Sequence, residues 1–397
     1  MKRGRTRFLV GLFCAVFLVN GLVLGDAQGA RRRKEKAAKE KAVEDSRPAY
    51  VSALLMEADT GRILFEQEPH KQWPPASLTK MMLMLLVMEK VKQGAISLKD
   101  PVETSALASK IGGSQVYLKQ GEVFPLEEMM KAIVIHSAND ACEAVAERIA
   151  GGVEAFVDMM NQRAKEMGLK DTTYVNVHGL PPEKGQASDL TSAYDLAVLA
   201  RELVKYPEIL KWASIVKTDF RGGSFILENT NHLIGKFPGA DGLKTGSYHE
   251  AGFNLVATAQ RDGLRLISVT LGSPSNKVRF SEAARLLSRG FNDYKMLTVM
   301  KAGETLTQAV KIKGGQIGSI RPVVLAPARV FLKRSEEKEV KSEIHLNSAV
   351  WAPLKRGQSV GELIITLGGQ PKAKFNLVSD RDVQQSNFIK RLWDRVF

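Results

Sequence analysis

The sequence predicts a mixed α/β (α+β) domain, made of a helical cluster and an antiparallel sheet, followed by a small all-β sandwich. A chain of 397 residues is long enough for two domains with full cores. Residues 50–57 and 62–65 are predicted to form a hairpin through an Ala-Asp-Thr-Gly turn. Helical patterns fill much of residues 77–204, and from Trp212 onward the pattern turns to strands. Two of these strand patterns, 251–259 and 264–271, are joined by an Arg-Asp-Gly turn. Short alternating segments between Gly, Pro and charged turns fill residues 297–379, which is typical of a sandwich.

Residues 1–25 have the pattern of a secretory signal peptide. Four Lys and Arg residues precede an apolar run from Phe8 to Leu24, and small residues follow from Gly25 onward. The run is interrupted by Asn20 and Gly21, so cleavage is favoured over retention as a membrane anchor, which stays an alternative. The pattern therefore predicts an exported protein.

Residues 26–47 are charged and rich in small side chains, with no apolar periodicity, which predicts a disordered or loosely helical tether. The formal net charge of +14 falls to +10 once the four bases of the signal are removed. In an exported chain this excess favours an anionic membrane or wall polymer as partner over nucleic acid.

The C-terminal segment, residues 386–397, has the pattern of an amphipathic helix. Its apolar stripe consists of Phe388, Ile389, Leu392, Trp393, Val396 and Phe397. Basic side chains occupy the other side, namely Lys390, Arg391 and Arg395. This combination favours in-plane binding to the outer face of the cytoplasmic membrane, with docking on the protein itself as the alternative.

Cysteine and histidine usage predicts neither a disulfide nor a metal site. Cys14 leaves with the signal, so Cys142 has no partner and is interpreted as a small buried hydrophobe. The six histidines show no metal-ligand spacing. We expect no metal.

The motif Pro-Pro-Ala-Ser-Leu-Thr-Lys at residues 74–80 is the first candidate for chemistry. Ser77 and Lys80 are three residues apart and fall on one face of a helix that the prolines start. The apolar run 81–88 behind them predicts a buried helix that desolvates Lys80, which could then act as a base towards Ser77. For this motif alone, an N-capping serine beside an ordinary lysine is the alternative.

Two later motifs carry further candidates. Ser137 and Asn139 lie between two helical patterns, where a sharp turn can direct both side chains into a cleft, and Asn139 is also a plausible helix cap. In Asp-Gly-Leu-Lys-Thr-Gly, a strand can offer Lys244 and Thr245 to a carboxylate, and Gly246 permits close approach. Taken alone, each has an ordinary structural interpretation, as a cap or a strand-end turn.

The three motifs together resemble the Ser-x-x-Lys, Ser-x-Asn and Lys-Thr-Gly signature of the penicillin-recognising serine acyltransferases, with their β-lactamase/transpeptidase-like fold. Within that superfamily the chain is most similar to the low-molecular-mass D-alanyl-D-alanine carboxypeptidases, which trim peptidoglycan. The resemblance covers nearly the whole mature chain. It implies a catalytic domain at residues 48–297 and a β-sandwich at residues 298–380.

The resemblance also implies a role for each matching residue. Ser77 would be the nucleophile and Lys80 its base. Ser137 would relay a proton to the leaving D-alanine, and Asn139 would orient the peptide amide. The two steps, acylation and hydrolysis, would need no cofactor.

The resemblance implies that Lys244 and Thr245, beside Gly246, would bind the terminal carboxylate of the substrate. Arg279 would assist them. The oxyanion hole would be the backbone N–H groups of the nucleophile and of Ser247. Substrates would be stem peptides ending in D-Ala-D-Ala, and β-lactams would acylate the same serine. The residues after Gly246 vary between relatives, so subsite preference stays open.

Three alternative functions compete with the carboxypeptidase. A β-lactamase needs a glutamate-activated water, and Glu183 lacks the Glu-x-x-Leu-Asn context of those enzymes. A D,D-endopeptidase uses the same machinery on cross-links, and the extra module and tail favour the carboxypeptidase over it. A catalytically silent wall-binding module is disfavoured because the expected side chains are all present.

Deleting residues 387–397 is expected to move the mature protein from the membrane to the soluble fraction, because the apolar stripe is its predicted contact with lipid. Cell fractionation with immunoblotting measures this. Unchanged fractionation of the truncated protein would contradict the predicted anchor.

Overall fold

The computed structural model describes residues 49–183 and 185–388. The predicted signal, the predicted tether and residues 389–397 of the predicted tail helix lie outside the described residues and stay predictions. Within the described part, no helix has the length and apolar character needed to cross a membrane.

The described residues form seven α-helices and seventeen β-strands. The helices are α1 (Lys80–Lys92), α2 (Leu126–Lys131), α3 (Asn139–Ala150), α4 (Val153–Glu166), α5 (Ala193–Leu203), α6 (Pro207–Ala213) and α7 (Asn276–Asp293). The strands of the larger, N-terminal part are β1 (Ser52–Glu57), β2 (Ile63–Gln67), β3 (Pro101–Glu103), β4 (Val123–Pro125), β5 (Lys217–Phe220), β6 (Phe225–Glu228), β7 (Ala240–Tyr248), β8 (Gly252–Arg261) and β9 (Leu264–Ser273). The remaining strands are β10 (Tyr294–Met300), β11 (Val310–Lys313), β12 (Ser319–Ile320), β13 (Ala328–Lys333), β14 (Val340–Leu346), β15 (Ala349–Trp351), β16 (Ser359–Leu367) and β17 (Gln370–Val378).

A five-stranded antiparallel sheet, in the order β2-β1-β9-β8-β7, forms the centre of the larger part. Successive side chains of a strand point to opposite faces, and β1 follows this rule. Leu54 and Met56 join the core that contains the helices α1 to α6, whereas Ala53 and Leu55 join the core formed with α7. The sheet is therefore covered on both faces, and both of its cores are apolar.

Helix α1 is buried along its first nine residues, as the apolar run behind Lys80 predicts. The predicted hairpins are also confirmed. Strand β1 turns into β2, and β8 turns into β9 through the Asp262-Gly263 turn. The mixed helix and antiparallel-sheet fold class predicted for this part is confirmed.

Two local predictions are wrong. The strand pattern expected from Trp212 onward begins only at Lys217, because Pro207 opens helix α6, in which Trp212 is buried. Asn139 is not a helix cap either. It is the first residue of α3, whose N-cap is Ala138, and its side chain points away from the helix to another loop.

The C-terminal part is all-β, as predicted. It contains three small sheets with strand orders β10-β13, β12-β11-β15 and β14-β16-β17. Strand β10 follows directly after α7 and pairs antiparallel with β13, so it spans residue 297, where the domain boundary is predicted. The boundaries themselves stay predictions.

Candidate active site

Ser77 lies in a 3₁₀ turn, Ala76–Thr79, that leads into α1. Ala76 has φ of +50°, a left-handed conformation that is costly for a residue with a Cβ and therefore needs support from its surroundings. Asn254 on β8 provides support, because its Nδ2 donates to the carbonyl oxygens of Pro74 (2.9 Å) and Pro75 (3.1 Å). The sheet thus fixes the turn that presents Ser77.

Two glycines let the backbone approach this turn closely. A Cβ on Gly246 of β7 would lie 2.6 Å from the Pro75 oxygen and 2.8 Å from the Ser77 nitrogen. Gly179 has φ of +78°, and a Cβ there would overlap the Ala76 carbonyl. The Lys-Thr-Gly strand and the loop before residue 180 therefore both lie against the Ser77 turn, and any side chain at these positions would displace it.

Lys80 connects the Ser77 turn to the loop that contains His178. Its Nζ donates to Ser77 Oγ (2.9 Å) and to the His178 carbonyl oxygen (2.5 Å), and the side chain is fully buried. Burial lowers the pKa of Lys80 from 10.5 to about 8, against the opposing effect of the Asp189 and Asp140 carboxylates. About one molecule in ten would then carry a neutral Lys80 at pH 7, against roughly one in three thousand for an ordinary lysine.

The Ser-Ala-Asn motif forms the sharp turn that its position between two helices predicts. Ser137 is buried and adopts a left-handed conformation, with φ of +67°, between the π-helical turn 132–136 and α3. Asn139 Nδ2 donates to the Gly112 carbonyl oxygen (2.7 Å), whereas its buried Oδ1 has no hydrogen-bond partner among the described residues. A buried acceptor without a partner is costly, so this oxygen is available to a substrate N–H.

Asp140 shapes the wall beside this motif, a role that was missed from the sequence. Its carboxylate accepts from the backbone N–H groups of Val116 (3.1 Å), Leu118 (3.0 Å) and Ala141 (3.0 Å). The loop before residue 119 is thereby fixed to the start of α3. The only sequence signal is that the aspartate directly follows the motif.

Lys244 is almost completely buried on β7, and its Nζ donates to the Thr245 carbonyl oxygen (3.0 Å). Burial lowers the pKa of Lys244 well below its ordinary value, and repulsion by Lys80 lowers it further. Ser247 is exposed further along the same strand.

A short hydrogen-bonded path joins β7 to the Ser137 turn. Thr245 Oγ1 donates to Thr230 Oγ1 (2.7 Å), and the Thr230 backbone N–H donates to the Ile135 carbonyl oxygen (3.2 Å). Ile135 is two residues before Ser137. The second and third motifs are therefore connected through a residue that the sequence analysis did not single out.

Arg279, the predicted helper, lies at the base of the same strand pair. Its Nη1 donates to the carbonyl oxygens of Gly246 and Asn254, both at 3.1 Å, and its guanidinium faces the rings of Phe253 and Phe280. Burial lowers the pKa of Arg279 to about 10, which leaves the group charged at neutral pH. It contributes a fixed positive charge beside the Lys-Thr-Gly strand.

The Lys-Thr-Gly strand thus lies directly against the Ser77 turn, and the Ser-Ala-Asn turn is linked to that strand through Thr230. Among the described residues no cluster of three or more His, Cys, Asp and Glu side chains could hold a metal ion. A buried amine beside a hydroxyl, at the meeting point of these motifs, is suited to activating a serine nucleophile.

Comparison with known families agrees with this geometry. Residues 38–275 match the family model described as D-alanyl-D-alanine carboxypeptidase. The chain belongs to this family. Residues 294–385 match the model described as penicillin-binding protein 5, C-terminal domain, so the family resemblance seen in the motifs is confirmed over both parts of the chain.

Relatives match this family member along nearly its full length. D-alanyl-D-alanine carboxypeptidase DacF of Bacillus subtilis is 36% identical over 98% of this chain and 96% of its own length. DacC of Escherichia coli is 33% identical over 96% and 95%. The crystal structure of penicillin binding protein 5 from Haemophilus influenzae has a TM-score of 0.64 at 30% identity, covering 85% of this chain and 98% of that one.

The rate of Ser77 acylation by a fluorescent penicillin is expected to rise with pH until Lys80 is deprotonated, with a midpoint near pH 8, because only the neutral amine can accept the hydroxyl proton. Stopped-flow measurements from pH 5.5 to 9.5 test this. Lys80→Gln should lose at least a hundredfold in rate. Full activity of this variant would exclude Lys80 as the base.

Asp140→Ala is expected to loosen the loop around Val116 and Leu118, because it leaves three backbone donors without their acceptor, at a cost of roughly 1–3 kcal/mol in the free energy of unfolding. Amide hydrogen exchange should accelerate at these positions. Asp100→Ala, which removes the acceptor of a single exposed hydrogen bond from the Ser97 N–H, is the control. Unchanged exchange in Asp140→Ala would show that other contacts hold the loop.

Proposed function

We propose that the protein is a serine-type D-Ala-D-Ala carboxypeptidase that removes the terminal D-alanine from peptidoglycan pentapeptides through an acyl-enzyme on Ser77. The observation that carries this proposal is the buried Lys80 amine, 2.9 Å from Ser77 Oγ, with its pKa lowered to about 8. Catalysis needs a base whose pKa lies near the working pH and which is within hydrogen-bond distance of the nucleophile. Lys80 meets both conditions.

In the acylation step, neutral Lys80 takes the proton of the Ser77 hydroxyl while Oγ attacks the carbonyl carbon of the penultimate D-alanine. Backbone N–H groups of Ser77 and Ser247 stabilise the resulting oxyanion. The C–N bond then breaks, and the leaving amino group of the terminal D-alanine receives a proton relayed through Ser137 from the Lys80 ammonium.

In the hydrolysis step, water attacks the ester carbonyl and its proton passes to neutral Lys80. The ester bond breaks, Ser77 recovers its hydroxyl and the shortened peptide is released. Every transferred proton thus starts or ends on a side chain of the site, so the two steps need no cofactor.

Substrate orientation is assigned to side chains of the second and third motifs and to Arg279. The unpartnered Asn139 Oδ1 would accept from a peptide N–H of the substrate. Lys244 and Thr245 would bind the terminal carboxylate, and buried Arg279 would strengthen the positive potential beside them. A β-lactam places a carboxylate and a reactive carbonyl in a similar arrangement, so it would acylate the same serine.

The assignment to the cell envelope rests on features at both ends of the chain. The signal-like residues 1–25 would direct export, and the amphipathic pattern 386–397 would hold the enzyme on the outer face of the cytoplasmic membrane.

The relatives that match nearly the whole chain bear carboxypeptidase names, whereas one named D-alanyl-D-alanine endopeptidase, from Pseudomonas aeruginosa, matches 59% of it.

D-alanine release from a pentapeptide ending in D-Ala-D-Ala tests the proposal. We expect release by the wild type, none above background by Ser77→Ala, and a raised KM for Lys244→Gln, since that change removes a cation assigned to the carboxylate. A tetrapeptide with one D-alanine is the negative control.

Other products would point to other activities. Cleavage restricted to cross-linked dimers would replace the carboxypeptidase by an endopeptidase. Rapid penicillin hydrolysis without D-alanine release would replace it by a β-lactamase, and wall binding without turnover would leave a silent module.

A further inference from the structure

The imidazole ring of His178 lies close to the site, in addition to the backbone carbonyl oxygen that accepts a hydrogen bond from Lys80 Nζ. Its ring is largely buried, and its Nδ1 accepts a hydrogen bond from the Leu180 backbone N–H (3.1 Å). Burial, together with the nearby Lys80 charge, lowers the pKa of His178 to about 3, so the ring is neutral under physiological conditions. Because a neutral imidazole carries one proton and Nδ1 is an acceptor here, the proton resides on Nε2.

The Nε2–H group faces Glu143 on α3. The distance from Nε2 to Glu143 Oε2 is 3.9 Å, within reach of one bridging water or a small side-chain movement. Oε2 is buried and has no hydrogen-bond partner among the described residues. The Nε2–H group therefore faces a buried acceptor that has no hydrogen-bond partner among the described residues, one turn along α3 from Asn139.

We propose that Glu143 is a positioning residue whose ionised carboxylate accepts from His178 Nε2–H and so holds the His178 carbonyl in place for Lys80. The chain of contacts runs from the carboxylate to the ring, from the ring through its own backbone to the carbonyl, and from there to Lys80 Nζ. This inference rests on the proposed role of Lys80 as the base.

The surroundings of Glu143 favour its neutral form. Burial, with the negative charges of Glu147 on the same helix and Glu154 on α4, raises the pKa of Glu143 to about 7. Glu147, Glu154, His178 and the adjacent Cys142 thiol are titratable groups that interact with it in the described part of the chain. The carboxylate would therefore form across neutral pH, and positioning would improve as pH rises.

The raised pKa of Glu143 predicts how the free energy of unfolding depends on pH. When the pKa of a carboxyl is higher in the folded than in the unfolded protein, the free energy of unfolding falls as the pH rises from the unfolded-state pKa to the folded-state pKa. Glu143→Gln cannot ionise, so it should unfold at a higher temperature than wild type above pH 7, and the difference should shrink towards pH 5. Loss of a purely structural contact would instead lower Tm at every pH.

The decisive experiment compares Ser77 acylation rates of the full chain and Glu143→Gln with a fluorescent penicillin from pH 5.5 to 8.5. The glutamine mimics the protonated carboxyl, so the ratio of wild-type to variant rate should rise from about one at low pH to roughly ten at high pH, the effect of one hydrogen bond to a charged group. A ratio that stays constant over this range would overturn the proposal.

Two further variants separate Glu143 from other carboxylates. Glu147→Gln removes a neighbouring negative charge and should move the midpoint of the Glu143-dependent limb to lower pH. Glu202→Gln on α5, paired with Lys205, is the matched control and should leave the profile as in wild type. Identical profiles for Glu147→Gln and wild type would contradict the assignment of that limb to Glu143.

Nitrogen NMR of the imidazole gives a readout that does not require catalysis. With ¹⁵N-labelled histidine, and His178→Gln to assign the signals, the Nε2 resonance of His178 should shift with a midpoint near pH 7 while the ring stays neutral. The shift should be lost in Glu143→Gln. If the resonance is flat in wild type, the inference fails, whereas absence of D-alanine release by wild type would instead remove the proposed function.

Discussion

The site depends on a single buried amine that bridges two segments of backbone. Lys80 Nζ donates to Ser77 Oγ on one side and to the His178 carbonyl on the other; the second contact is buried, and the first is partly buried at the half-exposed Ser77. Burial lowers the pKa of Lys80 from 10.5 to about 8. This drop corresponds to a shift of roughly 3 kcal/mol in favour of the neutral amine, compared with a lysine in water. The fold sustains this cost because α1 is buried along its first nine residues.

The surrounding backbone explains why this amine and hydroxyl keep their geometry. The turn before Ser77 contains a strained Ala76, and it is held by Asn254 and by the close approach of Gly179 and Gly246. Strain of this kind persists only where neighbouring contacts impose it, and it is concentrated at functional sites. The sheet, through β7 and β8, therefore supports Ser77, the proposed nucleophile, as well as the predicted carboxylate-binding residues.

The sequence predicts much of this arrangement because the relevant signals are local. Prolines before Ser77, an apolar run behind Lys80 and glycine turns between strands each act within a few residues, and the helix α1 and both hairpins follow from them. Trp212 was wrongly predicted to begin the strand region, because aromatic residues occur in buried helices and in strands alike. In the structure Pro207 begins a helix that contains Trp212. Asn139 was taken for a cap because asparagine favours that position, but a distant carbonyl at Gly112 competes for its amide.

Long-range partners could not be found from the chain alone. Thr230 and Glu143 belong to no spaced motif, and their contacts form only when segments far apart in the sequence are brought together in the fold. Asp140 was the exception in part, since it adjoins a recognised motif, but its three backbone donors become visible only in the fold.

Trapping the acyl-enzyme tests the central claim most directly. After brief incubation with a penicillin, tandem mass spectrometry of the digested protein should place one covalent adduct on Ser77, and a crystal structure of that adduct should show Lys80, Ser137 and Lys244 around it. An adduct on another residue, or an adduct on Ser77 with the Lys80 amine turned away from the ester, would contradict the account.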